Sequence, residues 1–196
     1  MGQADKTSTK LKPFPCFCTS KARRIAFLAF VIRAGLSTAT RLTQKGYQNF
    51  FRTAFLDDRQ GLFAANFLTK DMGFKNIAIL HDNSTFAQGL AEETKGYLEK
   101  LGVTPVFYDA INPKDTDFSP TLTKIKAVNP DVIYFTGYYA QGGLLLKQAK
   151  ALGMTSAWTG GNAMNNTELI QIAGLDNAKG MITTTEPLPG DLDYPE

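Results

Sequence analysis

A chain of 196 residues with 43% hydrophobic and 20% charged side chains has room for one ordinary domain plus an appendage, and this composition excludes an intrinsically disordered protein. Its net charge of +3 is unevenly divided: residues 1–41 hold eight lysines and arginines against one acid, Asp5, while the rest holds 13 basic and 17 acidic side chains. A basic leader before a mildly acidic domain is not the gathered positive face of a nucleic-acid binder, so no nucleic-acid partner is expected. The only cysteines, Cys16 and Cys18, lie one residue apart without nearby histidine, and His81 is the single histidine. That is half a zinc site at best, so neither a metal nor a cofactor is expected.

In chain order, Lys21, Arg23 and Arg24 precede an apolar run over residues 25–32 that Arg33 interrupts. The run is too short to span a bilayer and no small-x-small cleavage site follows, so it is not a convincing signal peptide. It reads as a buried strand over residues 26–32. Residues 50–53 suggest a second strand. Asp57 and Asp58 then offer an N-cap to a helix with an apolar stripe of Leu62, Ala65, Phe67 and Leu68, ending at Met72-Gly73.

Residues 76–80 are a continuous apolar strand, as expected where both sheet faces are covered. A helix over 86–101 turns Leu90, Thr94, Tyr97 and Leu98 inward and Glu92, Glu93, Lys95 and Glu99 outward. Strands over 103–110, 131–135, 157–159 and 181–185 alternate with helices over 119–128 (Leu122, Ile125 and Val128 inward), 142–152 and 168–173. Asn129-Pro130 stops the first of these helices and Gly153 the second. Such alternation predicts an α/β fold: right-handed βαβ units and a parallel sheet with helices on both faces.

In open sheets of this kind ligands sit at the carboxyl ends of the strands, which selects residues 81–88, 136–141 and 160–166. No dinucleotide, triphosphate or nucleophile-elbow motif is present. An enzyme would have to use His81 and Asp82, which fall short of an acid, a base and a nucleophile, so no catalytic residue is nominated. Phe86, Tyr138, Tyr139 and Trp158 lie near the strand ends. Trp158 and Tyr139 are better read as caps on the sheet, while Tyr138 offers a ligand both an apolar wall and a hydroxyl.

The segments LTQKGYQNFFRTAFLDDRQG, IAILHDNSTFAQGLAEETKGYLEKLG, DFSPTLTKIKAVNPDVIYFTGYYAQGGLLLKQAKALG and GGNAMNNTELIQIAG resemble the leucine/isoleucine/valine-binding protein family. These are periplasmic type I solute-binding proteins of branched-chain amino-acid ABC transporters, two-lobed clamps that close on an amino acid and present it to a permease. The resemblance runs from Leu42 to about Pro187. It implies one α/β ligand-binding lobe (lobe two) over residues 42–187, after an atypical basic leader with a degraded remnant of lobe one over residues 1–41 and before a tail over 188–196. The chain is thus expected to be truncated to about one lobe, with a periplasmic location and an ABC permease as partner.

The resemblance also implies a ligand site. Ser37 and Thr38 match the first-lobe turn that holds the ligand carboxylate, although Ala39-Thr40 replaces the family's Asn-Pro. Phe86 matches a second-lobe aromatic, often tyrosine, and Tyr138 the tyrosine of the Gly-Tyr motif. Asn162 stands where an acid usually receives the ligand ammonium. A neutral acceptor lowers the worth of that hydrogen bond from roughly 1.5–3 to about 0.5–1.5 kcal/mol, which opens the site to amides as well as amino acids.

Two other readings remain. One takes residues 1–35 as unrelated translation ahead of a non-functional fragment, the other a stand-alone α/β enzyme or regulatory domain. The uncharged strand over 181–185 is a candidate bare edge that would promote self-association, and Thr184 is expected to face outward there.

Overall fold

The computed structural model describes residues 32–34, 37–46, 50–52 and 54–185. Two short strands, β1 (Ile32–Ala34) and β2 (Phe50–Arg52), pair in parallel with Ile32 opposite Phe50, and helix α1 (Arg41–Gln44) lies between them in sequence. Helix α2 (Asp57–Asn66) then runs into a π-helical turn at Phe67–Asp71. Strand β3 (Ile77–His81), helix α3 (Thr85–Lys100), β4 (Phe107–Ala110), α4 (Ser119–Val128), β5 (Val132–Phe135), α5 (Tyr139–Ala151) and β6 (Ala157–Gly160) alternate as the sequence predicts. A 3-10 turn (Asn162–Met164), α6 (Glu168–Ala173), α7 (Leu175–Ala178) and β7 (Ile182–Thr183) follow.

The main sheet is parallel throughout, in the order β4-β3-β5-β6-β7. Every residue of β3 and β5 is buried, which is why both strands read as unbroken apolar runs. The pleat sorts them. Ile77, Ile79, Val132 and Tyr134 pack with Ala64, Ala65 and Leu68 of α2 and its extension and with Ala91 and Leu98 of α3. Ala78, Leu80, Ile133 and Phe135 pack on the other face with Leu122 and Ile125 of α4 and Leu145 and Ala149 of α5. Trp158 lies in that second core, 8% exposed, consistent with a cap on the sheet.

Several boundaries differ from expectation for identifiable reasons. Asp57 and Asp58 are the first helical residues of α2, not its cap; Leu56 holds the cap position and no side chain bonds there. Leu62 and Val128 are exposed, because the α2 and α4 stripes each face the sheet with fewer residues than the pattern suggests. Strand β4 starts at Phe107 rather than at 103, since Pro105 has no N–H to give to a ladder. Helix α5 starts three residues before Gly142. The glycine pair lies inside the helix because a Cβ on Gly143 would sit 2.8 Å from Cβ of Ile172. The strand expected at 26–32 overlaps β1 only at Ile32, and the rest lies outside the described residues.

The largest correction concerns Thr184. It lies just beyond β7, is 4% exposed, and its carbonyl and hydroxyl accept the Gln60 side-chain amide at 2.9 and 3.2 Å. It faces the interior, so a lysine there would disrupt the fold rather than shield an edge. Among the described residues no helix is long and apolar enough to cross a membrane.

Candidate ligand-binding site

Because β4 lies on one side of β3 and β5 on the other, the strand order reverses between β3 and β5, and the carboxyl ends of these strands are where sheets of this kind take ligands. The loops there are tightly built. After β3, the Asn83 N–H donates to Nδ1 of His81 at 3.1 Å and the Ser84 N–H donates to the Asp82 carboxylate at 2.9 Å. The Ser84 hydroxyl caps α3 by accepting from the Ala87 N–H at 3.2 Å. Burial holds the His81 imidazole below its ordinary pKa, against the pull of Asp82, Glu92 and Asp109. The two residues an enzyme would need are therefore engaged in forming a turn.

After β5, Thr136 donates to the Ala87 carbonyl at 2.7 Å and its own N–H to the Leu80 carbonyl at 3.0 Å, tying this loop to β3 and α3. Gly137 follows because a Cβ there would collide with the Phe135 ring and lie 3.0 Å from Cβ of Asp82. The two loops bring Phe86, on the first turn of α3, to Tyr138, at the cap of α5. Their ring centroids are 5.8 Å apart, inclined by 48°. Phe86 is half-buried and Tyr138 45% exposed, so the pair presents an apolar wall with one hydroxyl. Tyr139 instead packs partly against the core, and the neighbouring Glu168 carboxylate raises the pKa of its phenol.

Opposite Phe86 lies the turn at residues 37–40. Ser37, Thr38, Ala39, Arg41 and Leu42 enclose a cavity of about 220 Å³ together with Thr85 and Phe86. Arg52, on β2, fixes the turn by donating to the Thr38 carbonyl at 3.1 Å and the Ala39 carbonyl at 2.8 Å. The Asp57 N–H at the start of α2 donates to the same Thr38 carbonyl at 3.1 Å. In planar trans peptides this directs the Ala39 and Thr40 N–H groups away from the guanidinium. The structure thus brings Ser37, Thr38 and Phe86 together around one cavity and sets Tyr138 against Phe86. Asn162 opens the 3-10 turn after β6, half-buried at the same end of the sheet, and is not part of that cavity's lining.

Arg52 and Asp57 are residues that the sequence reading did not assign to the site. An arginine in a three-residue strand, five positions before a pair of acids, is the signal that bore on them. Among the described residues no three His, Cys, Asp or Glu side chains gather as a metal site.

The sequence profile described as periplasmic binding protein matches residues 20–196. A Leu/Ile/Val-binding protein homolog of Brucella melitensis is 40% identical over 148 residues, which is 76% of this chain and 40% of that protein. The leucine-, isoleucine-, valine-, threonine- and alanine-binding protein of Pseudomonas aeruginosa is 36% identical over the same share of this chain and 39% of its own. Among solved structures, a leucine binding protein of Thermotoga maritima superposes with a TM-score of 0.73 at 30% identity, over 80% of this chain and 45% of that one. A branched-chain amino acid transporter substrate binding protein of Streptococcus pneumoniae, in complex with isoleucine, gives 0.64 at 29% identity, over 70% and 39%. The chain spans about 40% of the length of the curated relatives it matches.

Proposed function

The chain belongs to the periplasmic binding protein family, and from that premise we propose that it is a substrate-binding component of an ABC transporter for a branched-chain or related amino acid. It is a periplasmic binding protein by this reading, not an enzyme, and its macromolecular partner is a permease. The observation that carries the proposal is the cavity where Phe86 faces the turn at Thr38, beside Tyr138 and at the point where strand order reverses. An aliphatic side chain fits against the Phe86–Tyr138 pair, a carboxylate meets the hydroxyl and N–H groups of the turn, and Asn162 receives an ammonium or an amide.

Affinity in such a site depends on excluding water from both sides of the ligand. With Tyr138 45% exposed, the aromatic wall is open to solvent, and leucine is expected to bind this chain no better than about millimolar. The test is an NMR titration with leucine, isoleucine, valine and leucinamide. Shifts confined to residues 37–42, 85–86, 138 and 162 support the reading. No shift there with any of the four would refute it.

A further inference from the structure

The turn that meets Phe86 across the cavity has a cation at its back. Arg52, half-buried on β2, donates from one terminal nitrogen to the Thr38 carbonyl at 3.1 Å and from the other to the Ala39 carbonyl at 2.8 Å. The Phe50 ring flanks it, with the centroid 5.4 Å from Cζ. Among the described residues the guanidinium forms no ion pair, and its Nε is buried without a hydrogen-bond partner. Each of the two carbonyls also accepts a backbone N–H: that of Asp57 reaches Thr38 at 3.1 Å and that of Leu42 reaches Ala39 at 3.2 Å. Both carbonyls of the turn are therefore held on the side of the cation, with two donors apiece.

A guanidinium stays charged at any working pH. In a planar trans peptide the N–H points opposite to the carbonyl, so the Ala39 and Thr40 N–H groups face away from Arg52. Neither gives a backbone hydrogen bond to a described residue, and Ala39 is among the residues that enclose the cavity. A peptide whose oxygen is bonded to a cation is polarised along its length, which makes its N–H a stronger donor. A carboxylate placed there accepts charge-assisted bonds, whereas a carboxamide accepts neutral ones and brings hydrogens of its own toward donors. We infer that Arg52 is a positioning residue which orients and polarises these N–H groups, so that the site selects a ligand carboxylate over the corresponding carboxamide. The inference rests on the amino-acid-binding reading above and deepens it, by favouring amino acids over their amides.

The test is an NMR titration of the whole chain with leucine and with leucinamide. At about pH 6 the ammonium group of each is charged. Salt at about 0.15 M screens exposed charges more than about 8 Å away. The unmodified chain is expected to bind leucine about tenfold more tightly than leucinamide. Arg52→Gln removes the charge while the Asp57 and Leu42 N–H groups still hold the turn. It should bring the two affinities within about threefold of each other, chiefly through weaker leucine binding. Arg52→Lys keeps the charge but not the fork across two carbonyls, and its ratio should fall between.

A merely structural role for Arg52 predicts that both ligands weaken equally. An Arg52→Gln chain that keeps the parent's ratio would therefore overturn the inference while leaving the binding reading intact. Equal affinities for leucine and leucinamide in the unmodified chain would do the same. Shifts with neither ligand would remove both. Should the variants fail to fold, the unmodified chain decides. The Ala39 amide proton and the Arg52 guanidinium protons must move together on adding leucine and stay in place on adding leucinamide, and equal movement with both ligands would overturn the selection.

Discussion

Helices α2 and α3 approach through backbone at Gly61. A Cβ built on Gly61 would lie 2.9 Å from the Thr94 backbone nitrogen, 3.0 Å from Cβ of Glu93 and 3.1 Å from its carbonyl carbon. Two of these three atoms are backbone, so relief requires the helices to move apart. Forcing a methyl group into such a contact costs about 1–3 kcal/mol. Replacing a helical glycine by alanine returns about 0.5–1 kcal/mol in backbone entropy and helix propensity. Gly61→Ala is therefore expected to destabilise by about 1–2 kcal/mol. Gly96 supplies the control, for it sits on the same α3 helix with nothing within 4 Å of its Cβ. Gly96→Ala should stabilise by about 0.5–1 kcal/mol, leaving the two variants roughly 1.5–3 kcal/mol apart. Urea unfolding followed by far-ultraviolet circular dichroism measures both. Equal gains in midpoint for the two variants would refute the close approach of the helices.

Ile79→Ala empties a site in the middle of β3, between Val132, Tyr134 and the α2–α3 layer, and should cost about 2–5 kcal/mol in the same urea assay; a change below about 0.5 kcal/mol would remove that strand from the core. Asp131 accepts the Asn76 and Lys75 backbone N–H groups at 2.8 and 3.0 Å, and these bonds hold its carboxyl below the usual range. Its contribution is thus present above the unfolded pKa of about 3.9 and is lost as pH falls through the lower folded value; because the carboxylate is exposed and screened by solvent, Asp131→Asn should cost no more than about 1 kcal/mol at neutral pH and progressively less in acid. A cost that stays constant from neutral pH into acid would refute the assignment. Phe86→Ala should abolish the leucine-dependent shifts at Tyr138 while leaving the unfolding midpoint within about 1 kcal/mol of the parent, since Phe86 is only half-buried; retained shifts would take Phe86 out of the site. We expect self-association through the β7 edge, lowered by lysine at the exposed Ile182; light scattering that shows the same mass for the chain and Ile182→Lys would count against it.

The sheet was legible because β3 and β5 are short apolar runs that only a doubly covered parallel sheet accommodates, and because Asn129-Pro130 and the glycines after α3 and α5 punctuate the helices. The glycine pair at 142–143 misled for the opposite reason. Glycine marks a chain ending in one setting and a close helix contact in another, and only the Ile172 side chain across the gap tells them apart. Thr184 was misplaced because strand alternation assigns its face only if the strand continues that far. Here β7 ends at Thr183, and the next residue turns inward to meet Gln60. In the candidate site, residue type and strand-end position pointed to Tyr138, whereas Phe86, Ser37, Thr38 and Asn162 were nominated only through the family resemblance. The clasp of Arg52 and Asp57 on the Thr38 turn joins segments whose contact no local pattern encodes.

That clasp also continues into the interior. Three residues beyond Asp57 on α2, the Gln60 amide reaches Thr184, whose hydroxyl donates to the Gly160 carbonyl at 3.2 Å and lies 3.5 Å from the Tyr134 hydroxyl. Tyr134 is fully buried, and burial, eased by Thr184 and Thr94, pushes its phenol up to about 12, so it stays a neutral hydrogen-bonding group at any working pH. A purely apolar arrangement would pack this region as densely, but it would leave the chain after β7 free to leave the sheet at several angles. Directional bonds from β5, β6 and α2 hold one angle, and their donors and acceptors are specific enough to penalise a shifted register. The first turn of α2 therefore works at both ends. Asp57 holds the turn at Thr38 through its N–H, and Gln60 holds Thr184 just beyond β7, so a displacement of α2 moves both together.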